Sequence, residues 1–388
     1  MKVCLLSLST IPDDPRVRRQ GDALAEAGFD VTAIGLPGAR SAPPDWRVVE
    51  LPPQSTRAVR LAALAVRLAA VRAVPALAEA AYWSIRLHRH LLDAAKAERA
   101  DVYHCNDWRV LPAGARAARE FGVRYVYDSH EFAIEEQADK ASWRFLFPGY
   151  IRRLERNHVH GAAFVSTVGD GIADALQHEY ALRQRPVVIR NTPPFEAMPE
   201  RAPGDVMTVL YQGVFNEDRA LDELIRSVPL WRDEFRLVLR GFGRPKYEQY
   251  LRQLATSSPA RARIEFAQPA PMVELVRLAN EADIGIHPIP ATTTQTRYCL
   301  PNKFFEYTMA GLALCVSAAP EMVRLLELHD LGTSFTESTP EAIAAAVNSF
   351  TREAVAAHKR NALRAAHELS WQSERNRLLA QYETLAQG

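Results

Sequence analysis

Pro301-Asn302-Lys303-Phe304-Phe305-Glu306-Tyr307-Thr308-Met309-Ala310-Gly311, running on into Leu312-Ala313-Leu314-Cys315-Val316-Ser317, decides how the rest of the chain is read. It has the order of a polar loop, a helix, a glycine stop and a buried strand. The helix carries one acid, Glu306, among Phe304, Phe305, Tyr307 and Met309. A carboxylate in such apolar company costs free energy unless it is paired or binds something. Two readings stay open at this point: a capping or solvated acid beside a core helix, and an anchor for a ligand.

The same unit recurs along the chain. In the first half, strands are expected over 3–8, 30–34, 102–105, 124–127, 163–166 and 187–189. Helices are expected over 15–27, stopping at Gly28, over 111–121, stopping at Gly122, and over 171–179. Pro193-Pro194, Pro199 and Pro203 mark a linker. A second alternation follows, with strands over 207–211, 235–239, 264–267, 284–287 and 313–317. Its helices are expected over 221–228, 245–255, 271–280 and 303–309, and a final polar helical run over 352–386. Strand–helix alternation of this kind predicts an α/β fold of two doubly wound parallel sheets, residues 1–190 and 191–369. Ligands in such sheets bind at the carboxyl ends of the strands, so the cleft between the halves is the expected site.

Composition narrows the function. A length of 388 residues exceeds what one core readily supports, which agrees with two domains. The net charge of +1 offers no field for nucleic acid. Cys4, Cys105, Cys299 and Cys315 form no CxxC, so neither a disulfide framework nor a zinc site is expected, as suits a reducing cytoplasm. The apolar start, Met1 to Ser9, is too short for a signal peptide and meets Asp13-Asp14 at once. No apolar run approaches the roughly 20 residues of a membrane span.

Two strands of the second half run into cationic, glycine-bearing turns. One is Gln212-Gly213 followed by Asn216-Glu217-Asp218-Arg219. The other is Arg240-Gly241-Phe242-Gly243-Arg244-Pro245-Lys246. Glycines admit close backbone approach, and helix N-termini with Arg219 and one of Arg240, Arg244 or Lys246 suit a pyrophosphate. Neither the dinucleotide fingerprint nor the P-loop pattern occurs, which argues against nicotinamide cofactors and ATP hydrolysis. In the first half, His104-Cys105-Asn106-Asp107-Trp108 and Asp128-Ser129-His130-Glu131-Phe132 follow two strands. They predict a polar rim able to hydrogen-bond a sugar or carry a catalytic group. Their spacing matches no standard metal site, so no metal is expected.

These stretches together resemble the retaining GT-B glycosyltransferases of family four, in the branch that builds bacterial capsule, O-antigen and exopolysaccharide. The resemblance rests on Asp14–Arg19, Asp101–Trp108, Tyr127–Glu131, Tyr211–Gly213, Gly241–Gly243, Glu281–Gly285 and Pro301–Gly311, in order along almost the whole chain. It implies two Rossmann-like domains facing across a cleft: an acceptor-side N-terminal domain, joined by a C-terminal helix at about 370–388, and a C-terminal domain that holds a nucleoside-diphosphate sugar. It implies no cofactor and no bound metal. By this resemblance Gly213, Arg219, Gly241, Gly243, Lys246 and Lys303 serve the donor diphosphate, and Glu306 hydrogen-bonds the donor ribose. The resemblance also puts His130 near the transferred sugar; beside it Glu131 or Asp107 is expected to bind the acceptor or act as base, Arg16 or Arg18 to do the anion or acceptor work of the first loop, and His104 and Asp128 to lie on the acceptor side. The family's Glu-x7-Glu motif has its first acid where this chain has Tyr298, which leaves the donor-sugar contacts and the stereochemical outcome open.

Residues 57–90 bear on the acceptor. Arg57, Arg60, Arg67, Arg72, Arg86 and Arg89 face a single acid, Glu79, and on a helix the first four share an arc with Leu61, Leu64, Leu68 and Val71. That mixture suits an anionic membrane surface, with Tyr82, Trp83 and Leu87 adding insertion. The resemblance implies a glycan or lipid-linked acceptor, and together with this stretch it makes a cytoplasmic, membrane-apposed location the expectation. Two other readings are a sugar-nucleotide epimerase acting on the donor alone and a catalytically silent subunit that binds a partner transferase.

Overall fold

Strands β1 (Lys2–Leu6), β2 (Asp30–Gly35), β3 (Arg47–Glu50), β4 (Val102–Asn106), β5 (Arg124–Ser129), β6 (Val165–Thr167) and β7 (Val187–Val188) form one parallel sheet in the order β3-β2-β1-β4-β5-β6-β7. The computed structural model describes residues 1–53, 68, 71–138, 140–271, 274–290, 298 and 300–387. Within them the chain divides into two compact units, Met1–Arg190 with Arg375–Gly388, and Asn191–Glu374. The central strands of the first unit are near-continuous apolar runs because helices cover both faces of a parallel sheet. Val3, Cys4, Leu5 and Leu6 of β1 are all fully buried. The helix Pro15–Glu26 starts where Asp14 caps the amides of Arg16 and Val17, with proline in the first turn. That helix places Arg16 and Gln20 against the sheet.

The end of the C-terminal helix Trp371–Gln387 belongs to the first unit. Tyr382 is fully buried there, edge-on to Phe29 and Phe164. The expected single helical run over 352–386 is two helices, Arg352–Glu368 and Trp371–Gln387.

In the second unit β8 (Met207–Phe215), β9 (Phe235–Gly243), β10 (Ile264–Ala267), β11 (Ile284–His287), β12 (Ala313–Ser317) and β13 (Gly332–Phe335) are parallel, in the order β10-β9-β8-β11-β12-β13. The pleat sends alternate residues to opposite cores. Val209, Tyr211, Ile284 and Ile286 pack with Leu221, Ile225 and Val347. Leu210, Leu314 and Val316 pack with Phe304, Phe305 and Tyr307 of the helix Asn302–Met309, and with Ala362 and Ala366.

Two short strands carry no legible signal. β3 is a half-exposed edge, and β13 reads Gly-Thr-Ser-Phe. A larger difference concerns β8 and β9. The sequence predicts that they end at Tyr211 and Leu239, with loops beyond. They instead stay paired to Phe215 and Gly243, with Gly213 opposite Gly241. A Cβ on Gly241 would collide with the Gly213 carbonyl, and both residues hold positive φ, 139° and 155°. Glycine here extends the ribbon rather than ending it.

The acid of Glu281–Gly285 proves structural. Asp283 accepts from the Thr208 amide at 2.9 Å and from Lys359 Nζ at 3.1 Å, and Lys359 also donates to the Ala282 carbonyl at 2.8 Å. Lys359 is 2% exposed. Asp283→Ala strands that ammonium and is expected to cost about 3–5 kcal/mol in denaturant unfolding. Adding Lys359→Met should recover most of the loss; a double variant no more stable than the single one would refute the pairing account.

Candidate active site

At the carboxyl end of β5, Asp128 has no exposure to water. Arg16 grips it with two bonds, Nε to Oδ2 at 2.7 Å and Nη2 to Oδ1 at 2.6 Å, and donates from Nη1 to the Ile189 carbonyl at 2.8 Å. Gln20 Nε2 and Ser166 Oγ add donors at 2.8 and 2.7 Å. Burial opposes the Asp128 charge, yet Arg16 and the hydrogen bond from His130 hold its carboxyl well below the usual range. His130 Nε2 lies 3.3 Å from Asp128 Oδ2 and 3.2 Å from Asn106 Oδ1, its side chain a quarter exposed. Burial disfavours its charge, but the bond to Asp128 and that residue's charge outweigh it and raise the pKa. The result is an imidazole at the strand ends whose protonated form is favoured and which is oriented by a buried carboxylate.

Glu131 reaches solvent beside it. Protein crowding around its carboxyl, then the charges of Glu136 and Asp107, lift its pKa to about 7. A carboxyl poised near neutrality can bind or exchange a proton with a hydroxyl. Asp107, in left-handed conformation at φ 79°, pairs with Arg109, which also bridges to Glu136 at 3.0 Å.

The expected rim is therefore drawn inward. His104 has no exposed surface; its Nδ1 hydrogen-bonds Tyr382 Oη at 2.7 Å, and burial pushes its pKa down to about 4. Arg16 and Asp128 are interior partners of each other rather than exposed acceptor ligands. Strand alternation explains this: residues of strand ends pointing at the covering helices are buried, while His130 and Glu131, beyond β5, and Asp107, beyond β4, reach outward. Asn106, within the stretch His104–Trp108, completes the cluster with Gln20 and Ser166, which had not stood out in the sequence. Gln20 Oε1, Asn106 Nδ2, His104 Nε2 and Thr167 Oγ1 are buried with no partner among the described residues.

The second constellation lies at the carboxyl ends of β8, β9 and β11. Lys303, in the first turn of the helix Asn302–Met309, lays its Cε and Nζ over Gly213, where any side chain would collide with it. Glu306 sits one turn further on the same helix, half-buried. Tyr307 ties this helix to the sheet: its hydroxyl accepts from the Gln212 amide at 2.9 Å and donates to the Ile286 carbonyl at 3.4 Å. Arg219 ends the turn Glu217–Arg219, about a third exposed, 3.6 Å from Asp218. His287, the last residue of β11, was not singled out by the sequence; Lys303 and Arg219 both act on it. Arg240 donates to Gln212 Oε1 at 3.2 Å.

Other expected donor residues are placed apart. The Gly243 amide donates to Glu248 Oε2 at 3.4 Å, a residue of the helix Pro245–Ser257 that follows it. Lys246 lines a separate cavity of about 390 Å³ with Glu217, Asp222, Tyr247 and Tyr250. Tyr298 is half-buried, and 291–297 lie outside the described residues. Among the described residues no cluster of His, Cys, Asp and Glu could hold a metal ion.

Arg57, Arg60, Leu61, Leu64 and Arg67 also lie outside the described residues. The described remainder corrects the membrane face. Leu68, Val71 and Tyr82 are buried, Tyr82 stacked on His88 and donating to the Arg109 carbonyl. Val74, Leu77 and Phe145 are exposed instead, with the Arg72 guanidinium 4.0 Å over the Phe145 ring.

Two family models match these two units. Residues 14–192 match the glycosyl transferase 4-like domain, and residues 207–353 match glycosyl transferases group 1. The chain belongs to the group 1 glycosyltransferases. Solved structures agree on the fold. Sucrose-phosphate synthase from Thermosynechococcus elongatus superposes with a TM-score of 0.72 at 16% identity, covering 99% of this chain and 98% of that one. Anabaena HepE in complex with UDP and glucose gives 0.70 at 15%, covering both chains fully at 100%. A glycosyltransferase from Rickettsia africae gives 0.70 at 11%, covering 99% and 98%. At such identities the likeness speaks for the GT-B fold alone. A search of curated protein sequences gave no match.

If Asp128 sets the state of His130, Asp128→Asn lowers the His130 pKa in an NMR titration. Ser166→Ala removes one hydrogen bond but keeps the charge, and leaves it raised. An unchanged His130 titration in Asp128→Asn breaks the link.

Proposed function

We propose that this glycosyltransferase moves a sugar from a nucleoside-diphosphate donor, bound by the second unit, to a hydroxyl of a glycan or lipid-linked acceptor. The observation that carries the reading is Lys303 lying over Gly213 at the carboxyl edge of β8, with Glu306 one turn away on the same helix. A diphosphate needs cations and backbone access, and a carboxylate can accept from both hydroxyls of a ribose diol. The donor named with HepE, UDP-glucose, supports the same ligand class.

The proposed chemistry is front-face transfer with retention. The acceptor oxygen bonds to the anomeric carbon as the bond from that carbon to the phosphate oxygen breaks. The departing nucleoside diphosphate takes the acceptor proton. Lys303 and Arg219 stabilise the charge that develops on it, so metal is not required. His130 orients the transferred sugar, and Glu131 accepts a hydrogen bond from the acceptor hydroxyl. The proposed setting is bacterial surface-polysaccharide assembly in the cytoplasm. Lys303→Ala, Arg219→Ala and Glu306→Ala should each weaken nucleoside-diphosphate binding in calorimetry about tenfold or more, the worth of a charged hydrogen bond. Binding by all three equal to the parent's refutes the site. Turnover of a donor without acceptor to an epimer would favour the epimerase reading, and no turnover with any donor the silent one.

The acceptor end is proposed to work against an anionic membrane. Arg72, Arg86 and Arg89 with exposed Val74, Leu77 and Phe145 supply charge and apolar contact. The chain should sediment with phosphatidylglycerol vesicles and not with phosphatidylcholine, and Phe145→Ser with Arg72→Glu should reduce it. Equal recovery with both lipids removes the membrane from the proposal.

A further inference from the structure

His287 closes β11, the strand beside β8 at which the order of the second sheet reverses. This is the switch point where doubly wound sheets take their ligands. Its ring is 1% exposed, and neither Nδ1 nor Nε2 has a hydrogen-bond partner among the described residues. The other buried histidines differ. His88 bonds the Tyr82 carbonyl, His104 bonds Tyr382 and His158 bonds Glu79. A buried polar ring with both nitrogens unsatisfied is rare enough to require a reason.

Packing gives no such reason. Ile284 and Ile286 enter one apolar core, while Gly285 faces the ring of Tyr307. Alternation puts His287 on the Gly285 side, toward the helix that bears Lys303 and Glu306. Its backbone is pinned, since Ser317 Oγ donates to its carbonyl at 3.0 Å. Burial first, then the charges of Lys303 and Arg219, hold its pKa well below the ordinary histidine value. The ring is therefore neutral, with one N–H donor and one lone pair. Two cations, a glycine edge and an unsatisfied neutral donor converge on one end of the sheet.

We infer that His287 is a donor-recognition residue, giving its N–H to a phosphate oxygen of the nucleoside diphosphate and accepting a hydroxyl hydrogen of the same ligand at its other nitrogen. The inference rests on the donor reading above and extends it to a residue outside the family's motif. Lys303, a flexible chain filling the space over Gly213, is the group that shifts to admit the ligand. Burial makes the contact stronger, because water does not compete for it. A buried nitrogen with no partner among the described residues carries a desolvation cost in the free protein, which binding removes.

The test compares the parent, His287→Leu and His287→Gln, each with UDP, GDP and ADP in calorimetry and without ligand in thermal melts. The parent binds at least one of the three. His287→Leu should bind that one about tenfold or more weaker, from loss of a hydrogen bond to a charged group. Its ligand-free melting temperature should be equal to the parent's or higher, and His287→Gln should regain most of the affinity. Unchanged affinity in His287→Leu overturns the inference while leaving the donor reading intact. A lower melting temperature with affinity that glutamine does not restore makes the residue structural and also overturns it. No binding by the parent to any of the three overturns the donor reading itself, and the inference with it.

Discussion

A carboxylate sealed from water governs the first unit. Asp128 is tolerated only because Arg16, Gln20, Ser166 and His130 supply it with donors. That requirement fixes the first helix against β5, ties it to Ile189 at the end of β7, and holds His130 at the strand ends with its protonated form favoured. A buried ion pair of this kind contributes little net stability, since desolvation offsets attraction. Its effect is geometric: it allows one arrangement of the strand ends and penalises the others.

The second unit uses the same device at the other end of a strand. Asp283 precedes β11, and its pairing with Lys359 holds the amino end of the sheet to the helix Arg352–Glu368. At the carboxyl end of β11, His287 receives no such compensation among the described residues. The contrast follows the polarity of doubly wound sheets, where amino ends carry stability and carboxyl ends carry ligands. Where polar groups are matched, the strand end is structural. Where they are left unmatched, beside Lys303 and Gly213, the missing partner is read as substrate.

Glycine has two distinct uses in the chain. Gly28 and Gly122 end helices, as expected from their place after apolar periodic runs. Gly213 and Gly241 were expected to end strands and instead let two strands run on side by side. Local propensity treats these positions alike. What separates them is whether a second backbone stands within a few ångströms, and that is a tertiary fact.

The sequence by itself determined the alternation of strand and helix, the two sheets, and the candidate stretches at 128–131 and 301–311. Apolar runs of strand length and periodic helices with glycine stops are local signals, and burial on both faces writes them plainly. Only the tertiary structure decided which polar side chains of those stretches face outward. His104 and Asp128 went inward because helices cover their side of the strands, Arg16 because it lies on the inner face of one of those helices, and His130 and Glu131 stayed out because they lie past the last strand residue. β3 and β13 were illegible because edge strands are held by neighbours rather than by their own composition. His287 was invisible for the same reason: in sequence it is one polar residue after Ile284-Gly285-Ile286, and its lack of partners exists only once everything around it has been packed.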